Sequence, residues 1–341
     1  MPRSLWSTLA RLITEMRRFG LALLAGTVVA AAGAPVLAPY AIDRSFRGFL
    51  NAPPTRPHVR DDEGGWHAPF IYRWRLVSQL EQRYEEDRST RVPLTWFNEG
   101  RLVTSSADDV PFFFLGADSY GRDVFSRLLF GARISLGLSF VAAAGATLLG
   151  VLLGGVAGYA GGLLDDLLMR GSDFVLVLPA MYVALALRSA LKLVLPPFEV
   201  FALLAGIFAI VGAPFIARGV RAIVRSEKQL DYSVAVASLG ASHLRVLLRH
   251  LLPAARGFVA VEITMLVPSF IVAEATLSYV GLGFPDPVAS WGTMLHDASN
   301  IRAFADSPWL LSPAAAMFLV VLGLNLLMQG GAKSLGYERS L

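Results

Sequence analysis

The chain has 341 residues, 55% of them hydrophobic and 16% charged, with a net charge of +4 and a mean hydropathy of +0.55. Soluble domains carry about 25% charged residues, so this balance excludes a large soluble core and points to a polytopic membrane protein. Cysteine is absent, which excludes disulfides, thiolate catalysis and thiolate metal sites.

Residues 1–18 form a basic N-terminus with Arg3, Arg11, Arg17 and Arg18. An apolar run over about 19–42 follows, and about 20 such residues cross a bilayer. Its basic flank and small residues (Ala30 to Ala34) also fit a signal peptide. The run is long for that role, so an uncleaved first span is expected.

Residues 43–133 are mostly polar. The stretch 51–65 is rich in Pro, Asp and Gly and reads as a loop. Over 74–88, Val77, Leu80 and Tyr84 fall at helical spacing, which predicts a helix. Val92, Leu94 and Trp96 alternate, Asn98-Glu99-Gly100 can turn, and 101–104 can return as a second strand. The expectation is a small α+β insertion resting on the outer membrane face; a long, partly ordered loop is the alternative.

Five further apolar runs cover about 134–159, 174–195, 200–217, 258–281 and 309–328. The predicted fold is an all-α polytopic membrane protein with six transmembrane helices. Residues 134–336 form its main transmembrane domain, and 337–341 a short tail. Basic residues mark the cytoplasmic side of short loops. They collect before the first run, in the 218–256 connection (Arg218, Arg221, Arg225, Lys228, Arg245, Arg249, Arg256), and after the sixth run at Lys333 and Arg339. Both termini and 218–256 are therefore expected in the cytoplasm of a multi-pass protein. The 43–133 region exceeds the roughly 60-residue limit of the rule and is expected outside.

The 218–256 connection is helix-forming where a simple loop would be irregular. Asp231 can cap a helix beginning at Tyr232, and Gly240 fits its left-handed C-terminal position. Ser242 can cap a second helix, in which Leu244, Leu247, Leu248 and Leu251 form one apolar stripe opposite Arg245 and Arg249. Pro253 is expected to end it. On spacing alone, the segment could lie on anionic lipid or fill a groove in a soluble partner.

The string from Asp231 to Pro253 (DYSVAVASLGASHLRVLLRHLLP) resembles the EAA loop of ABC importer permeases, E-A-A-x-x-x-G-x9-I-x-L-P. The matching positions are Val234, Ala235, Val236, Gly240, His250, Leu252 and Pro253; the Glu and second Ala of the pattern are Val234 and Val236 here. Further strings resemble the C-type subunit of the dipeptide, oligopeptide and nickel importers. These are LGADSYGRDVFSRLLFGARISL from Leu115, GYAGGLLDDLLMR from Gly158, EATLSYVGLGFPDPVASWGTML from Glu274, and SPWLLSPA from Ser307. The likeness extends from about 111 to 336, plus the first span.

The resemblance implies a type I importer permease in a bacterial inner membrane, translocating peptides or similar small solutes by ATP-driven alternating access. It implies a B-type permease partner, two cytoplasmic ATPases and an extracytoplasmic solute-binding protein, with no nucleic acid. It also implies that Asp231, Tyr232, Ala235, Gly240, Ala241, Ser242, Arg245, Arg249, His250, Leu252 and Pro253 meet the ATPase. The missing Glu at Val234 removes one polar contact of that loop.

Arg122, Asp123 and Arg133 precede the second run; they are outer-gate candidates, or a helix cap with an interface anchor. Glu274 sits within an apolar run, where an ionisable group marks function by default; Glu274 and Pro179 are expected to line the pathway or a subunit interface. Pro179 and Pro268 are expected to kink their helices. Asp165, Asp166 and Arg170 form a cytoplasmic turn. The five histidines show no ligand spacing, and no metal or catalytic site is expected. Ala332-Lys333-Ser334 lacks the glycines of a phosphate-binding loop, so ATP and Mg are expected on partner subunits only. A secondary transporter would show inverted repeats, and an intramembrane hydrolase would need a nucleophile and base within its spans; neither pattern is present.

Overall fold

The computed structural model describes residues 3–79, 81–177, 180–190, 195–299 and 306–337. The chain divides into two compact units, residues 1–135 with 278–341, and residues 136–277.

The first unit begins with α1 (Arg3–Ala32), which stops at Gly33 before a single turn, α2 (Ala34–Leu37). The chain's last helix packs along α1. A Cβ on Gly20 would lie 2.7 Å from the Gly323 carbonyl oxygen, and one on Gly323 would lie 3.0 Å from Leu24. Gly20 also faces Leu326 and Leu327, so the two helices run antiparallel. Small residues at such a crossing let the backbones approach, as in membrane helix pairs.

Between α1 and the next long helix lies a four-stranded antiparallel sheet, β1 (His58–Arg60), β2 (Trp66–Ser78), β3 (Arg83–Asn98) and β4 (Arg101–Ser105), in sequential order. The hairpin expected around Asn98-Glu99-Gly100 is present, with Asn98 opposite Arg101 and Trp96 opposite Val103. The helix expected over 74–88 is not. That stretch is the β2–β3 hairpin, with Trp74 opposite Glu86 and Leu76 opposite Tyr84. Cross-strand partners and burial decide the outcome. Trp74 and Tyr84 pack against a cluster of Tyr40, Phe46, Phe49 and Phe113, and the Tyr84 hydroxyl donates to the Leu50 carbonyl at 2.7 Å. Ile71, Val92 and Leu94 of the sheet bury with Val110 and Phe112. Among the described residues from 43 to 123 there is no helix, so the insertion is a β-structure and not α+β.

Also in this unit, α3 (Val124–Ala160) starts. Further along the chain come α10 (Trp291–Asp297), a 3-10 turn (Pro308–Leu311) and α11 (Ser312–Tyr337). Trp291 is fully buried; its backbone N–H donates to Ser135 Oγ at 3.0 Å and its indole to the Leu128 carbonyl at 3.2 Å.

The second unit holds most of α3, then α4 (Gly162–Val177), α5 (Ala180–Ser189), α6 (Pro197–Glu227), α7 (Asp231–Ser238), α8 (His243–Val246) and most of α9 (Arg256–Tyr279). α3 meets α6 along a glycine ridge. A Cβ on Gly150, Gly154 or Gly158 would lie 2.6, 2.3 or 2.7 Å from Ile216, Ala217 or Arg221 respectively. Arg221 grips Asp165 with two guanidinium hydrogen bonds, and Arg218 meets Asp173 at 2.5 Å, tying α4 to α6. α9 continues through Pro268.

Among the described residues, four helical stretches are long and apolar enough to cross a membrane: Val124–Ala160, Pro197–Glu227, His243–Tyr279 and Pro308–Met328. The expected spans at 19–42 and 174–195 are not among them. The first is interrupted at Gly33. The second is shared between α4 and α5, with 178–179 and 191–194, including Pro179, outside the described residues.

Candidate functional site

The connection between α6 and α9 is built in short helical pieces. Leu230 accepts the first hydrogen bonds of α7, from the backbone N–H groups of Ser233 and Val234 at 2.9 and 3.2 Å. Asp231 is therefore the first residue of α7, one place later than the cap expected; its carboxylate still favours the helix N-terminus electrostatically. Tyr232 donates to Glu227 Oε2 at 2.6 Å, and that bond, with burial, pushes its phenol up to about 12.

α7 ends in a Schellman turn. Gly240 sits at φ +84, the Ala241 N–H bonds back to the Val236 carbonyl at 3.4 Å, and the Leu239 N–H to Ala235 at 3.1 Å. A Cβ on Gly240 would meet nothing within 4 Å, so backbone conformation is the intrachain reason for glycine. Ser242 takes the extended N-cap position of α8, but its side chain makes no capping bond.

The stripe expected in the second helix is not a single buried face. Leu247–Leu251 is a π-turn, and the buried pair is Val246 and Leu251, five residues apart. Five is the hydrogen-bond interval of a π-helix. Leu244 and Leu248 stay exposed, as do Arg245 and Arg249, while His250, Leu252 and Pro253 are half-buried. Pro253 does not stop the helix. It lies in the first turn of a 3-10 segment, Leu252–Ala255, that leads directly into α9. Proline is tolerated there because an early helical N–H needs no intrahelical partner.

Three side chains anchor this loop, and none stood out in the sequence. Lys228 donates to the Tyr159 carbonyl at 2.7 Å and lies over its ring at 4.9 Å, while the Tyr159 hydroxyl meets His243 Nδ1 at 2.6 Å. Above these anchors, Val234, Leu239, Leu244 and Leu248 are exposed, Leu239 by 88%.

The outer-gate candidates have structural partners. Arg122 is buried and bonds Asp118 at 2.7 Å, Asp286 at 3.0 Å and Asp297 at 3.1 Å; Arg127 joins the last carboxylate at 3.5 Å. Asp286 and Asp297 come from far along the chain, so no local spacing could reveal this cluster. Asp123 caps α3, its Oδ2 accepting from the Ser126 N–H at 2.7 Å. Arg133 is exposed. Glu274 is fully buried inside the chain.

A family model described as "Binding-protein-dependent transport system inner membrane component" matches residues 150–335, more than half of the chain. The chain belongs to this family. It is 37% identical over 216 residues, 63% of this chain and 68% of the relative, to the oligopeptide transport system permease protein OppC of Bacillus subtilis (strain 168). To the dipeptide transport system permease protein DppC of Alkalihalophilus pseudofirmus it is 36% identical over 217 residues, 63% and 68% of the two chains. To the glutathione transport system permease protein GsiD of Pectobacterium atrosepticum it is 35% identical over 216 residues, 63% and 69%.

As a family member with several membrane-length helices, the chain is a multi-pass permease and not an enzyme. Such permeases work with a second permease, an ATPase and a binding protein. The 231–253 loop lies within the matched region; the β-insertion lies outside it.

Proposed function

We propose that the chain is the C-type permease subunit of a peptide importer, with six spans and both termini in the cytoplasm. α1 serves as the first span; its close antiparallel crossing with α11 at Gly20 and Gly323 supports this. The second additional span passes through the α4–α5 region. A B-type permease completes the pathway, two ATPases supply ATP and Mg, and an extracytoplasmic protein delivers the solute. Peptides are the favoured cargo, since two relatives are oligopeptide and dipeptide permeases and a third serves glutathione, itself a peptide.

The observation that carries the reading is the 231–253 loop. Its exposed Leu239, Leu244 and Leu248 have no cover within the chain, while its ends are continuous with α6 and α9. A short helical segment with apolar anchors suits a groove in a soluble partner. Since His243–Tyr279 is one continuous helical stretch, a movement of the docked ATPase is passed directly to a membrane span. Alternating access then follows from ATP-driven closure pulling the loops of both permeases.

Co-purification tests this. The wild-type complex should retain the ATPase, and Leu239→Asp or Gly240→Trp should release it by at least tenfold while leaving the permease pair intact. Full retention by both variants would overturn the docking assignment.

A further inference from the structure

The β-insertion exposes large aromatic side chains. Trp66, Trp96 and Phe97 are 78%, 55% and 76% exposed. The sequential antiparallel order places the β1–β2 and β3–β4 turns at one end of the sheet and the β2–β3 turn at the other. All three aromatics belong to the first end. Phe97 adopts φ +54, a conformation that side chains of this bulk rarely take. Its ring gains no burial within the chain in return.

That same end is tied to the exit of α1. Arg101 Nη1 donates to the Ala38 carbonyl at 3.0 Å, just beyond α2, and β4 packs on α2. Two rulers place Ala38 in depth. From the Gly20–Gly323 crossing, α1 climbs about 18 Å to Ala32, and α11 climbs about 17 Å back to Ser312, at ~1.5 Å per residue. Ala38 lies about 9 Å beyond Ala32 at the same rise. The apolar stretch of α11 begins at Pro308; Trp309 beside it lies about 6 Å beyond Ser312 at the ~2 Å rise of a 3-10 turn. Ala38 and the outer apolar limit of α11 are thus level within a few ångströms. Trp and other amphipathic aromatics concentrate at this depth in membrane proteins.

We propose that the Trp66–Trp96–Phe97 end of the sheet seats in the headgroup layer of the outer leaflet. Lipid is its occupant, and the insertion is a cap held by its β4 end to α2 and by its aromatics to the bilayer. The headgroup layer, more than the hydrocarbon, suits an end that also carries Glu99 and Arg101. The cap's height beside the permease is set by these two attachments. This inference rests on the reading that α1 spans the membrane and that the insertion lies outside.

Because the chain has no cysteine, single probes can be placed in it. The complex, assembled with cysteine-free partners in phospholipid nanodiscs, would carry a spin label at Trp96→Cys, Phe97→Cys or Glu81→Cys. Glu81 lies beside the opposite turn of the sheet. Collision with oxygen relative to a water-soluble nickel chelate should be several-fold higher at 96 and 97 than at 81. Equal, chelate-dominated values at all three would overturn the proposal, as would protection at 96 and 97 from both reagents only when the binding protein is present. Labelling of Glu81→Cys by an impermeant maleimide on intact spheroplasts tests the location separately. If that label fails to react, the topology is wrong; if it reacts and 96 and 97 are still wet, only the lipid contact is wrong. Should Phe97→Cys misfold, Trp96→Cys carries the test alone.

Discussion

Asp123 performs two roles that pull against each other. Its Oδ2 caps α3, but the carboxyl is buried, and burial pushes its pKa up to about 7. Oδ1 has no hydrogen-bond partner among the described residues. A carboxyl whose folded pKa lies above its unfolded value, about 3.9, holds its proton more tightly when folded. Stability contributed by the protonated form is full below about pH 4 and falls as pH rises toward 7, by up to about 1.4 kcal/mol per pH unit. Asp123→Asn keeps a good capping side chain and removes the ionisation. Thermal unfolding of the variant should lose this slope between pH 4 and 7, and above pH 7 the variant should be the more stable. At Gly240 the expectation is different in kind. Gly240→Ala meets no neighbour, so its cost is the left-handed backbone alone, about 1 kcal/mol. Faster hydrogen exchange at the Ala241 amide should report it. The conformation at Gly240 was legible because a left-handed helix end is a local property. The Asp123 cap was open as one of two readings for the same reason. Arg122 was not legible as a three-carboxylate hub, since Asp286 and Asp297 reach it only through the fold.

Elements were legible where their signal was self-contained. The β3–β4 hairpin announced itself through alternation and a tight turn. The β2–β3 hairpin did not: Val77, Leu80 and Tyr84 share helical spacing by coincidence, and the strands carry charges on much of both faces. What decides between helix and strand there is the partner strand and the aromatic cluster under Trp74 and Tyr84. The glycine ridge of α3 is a second feature whose meaning needs its partner. Gly154→Leu would drive a side chain into the Ala217 backbone, 2.3 Å from the first added carbon. Overpacking of this kind costs about 1–3 kcal/mol, and the melting temperature of the detergent-solubilised permease should fall accordingly. Gly257→Leu, where a Cβ meets nothing within 4 Å, should leave it nearly unchanged.

At the scale of the whole molecule, the apolar runs mark the membrane class, and among the described residues four of them stand as membrane-length helices. The other two depend on topology. Ser89→Cys in the sheet should react with an impermeant reagent on intact cells, and Ser238→Cys in the loop only after permeabilisation. The reverse pattern would invert the assignment. The π-turn at Leu247–Leu251 has a consequence at this scale too. It holds one residue more than an α-turn would need, and each helical residue turns the chain by about 100°. The angle between the loop's exposed leucines and every side chain of α9 is therefore written in chain length, not in residue identity. Removing one residue there would re-aim the whole of α9 relative to those leucines, while exchanging Leu248 for another apolar residue would leave the aim untouched.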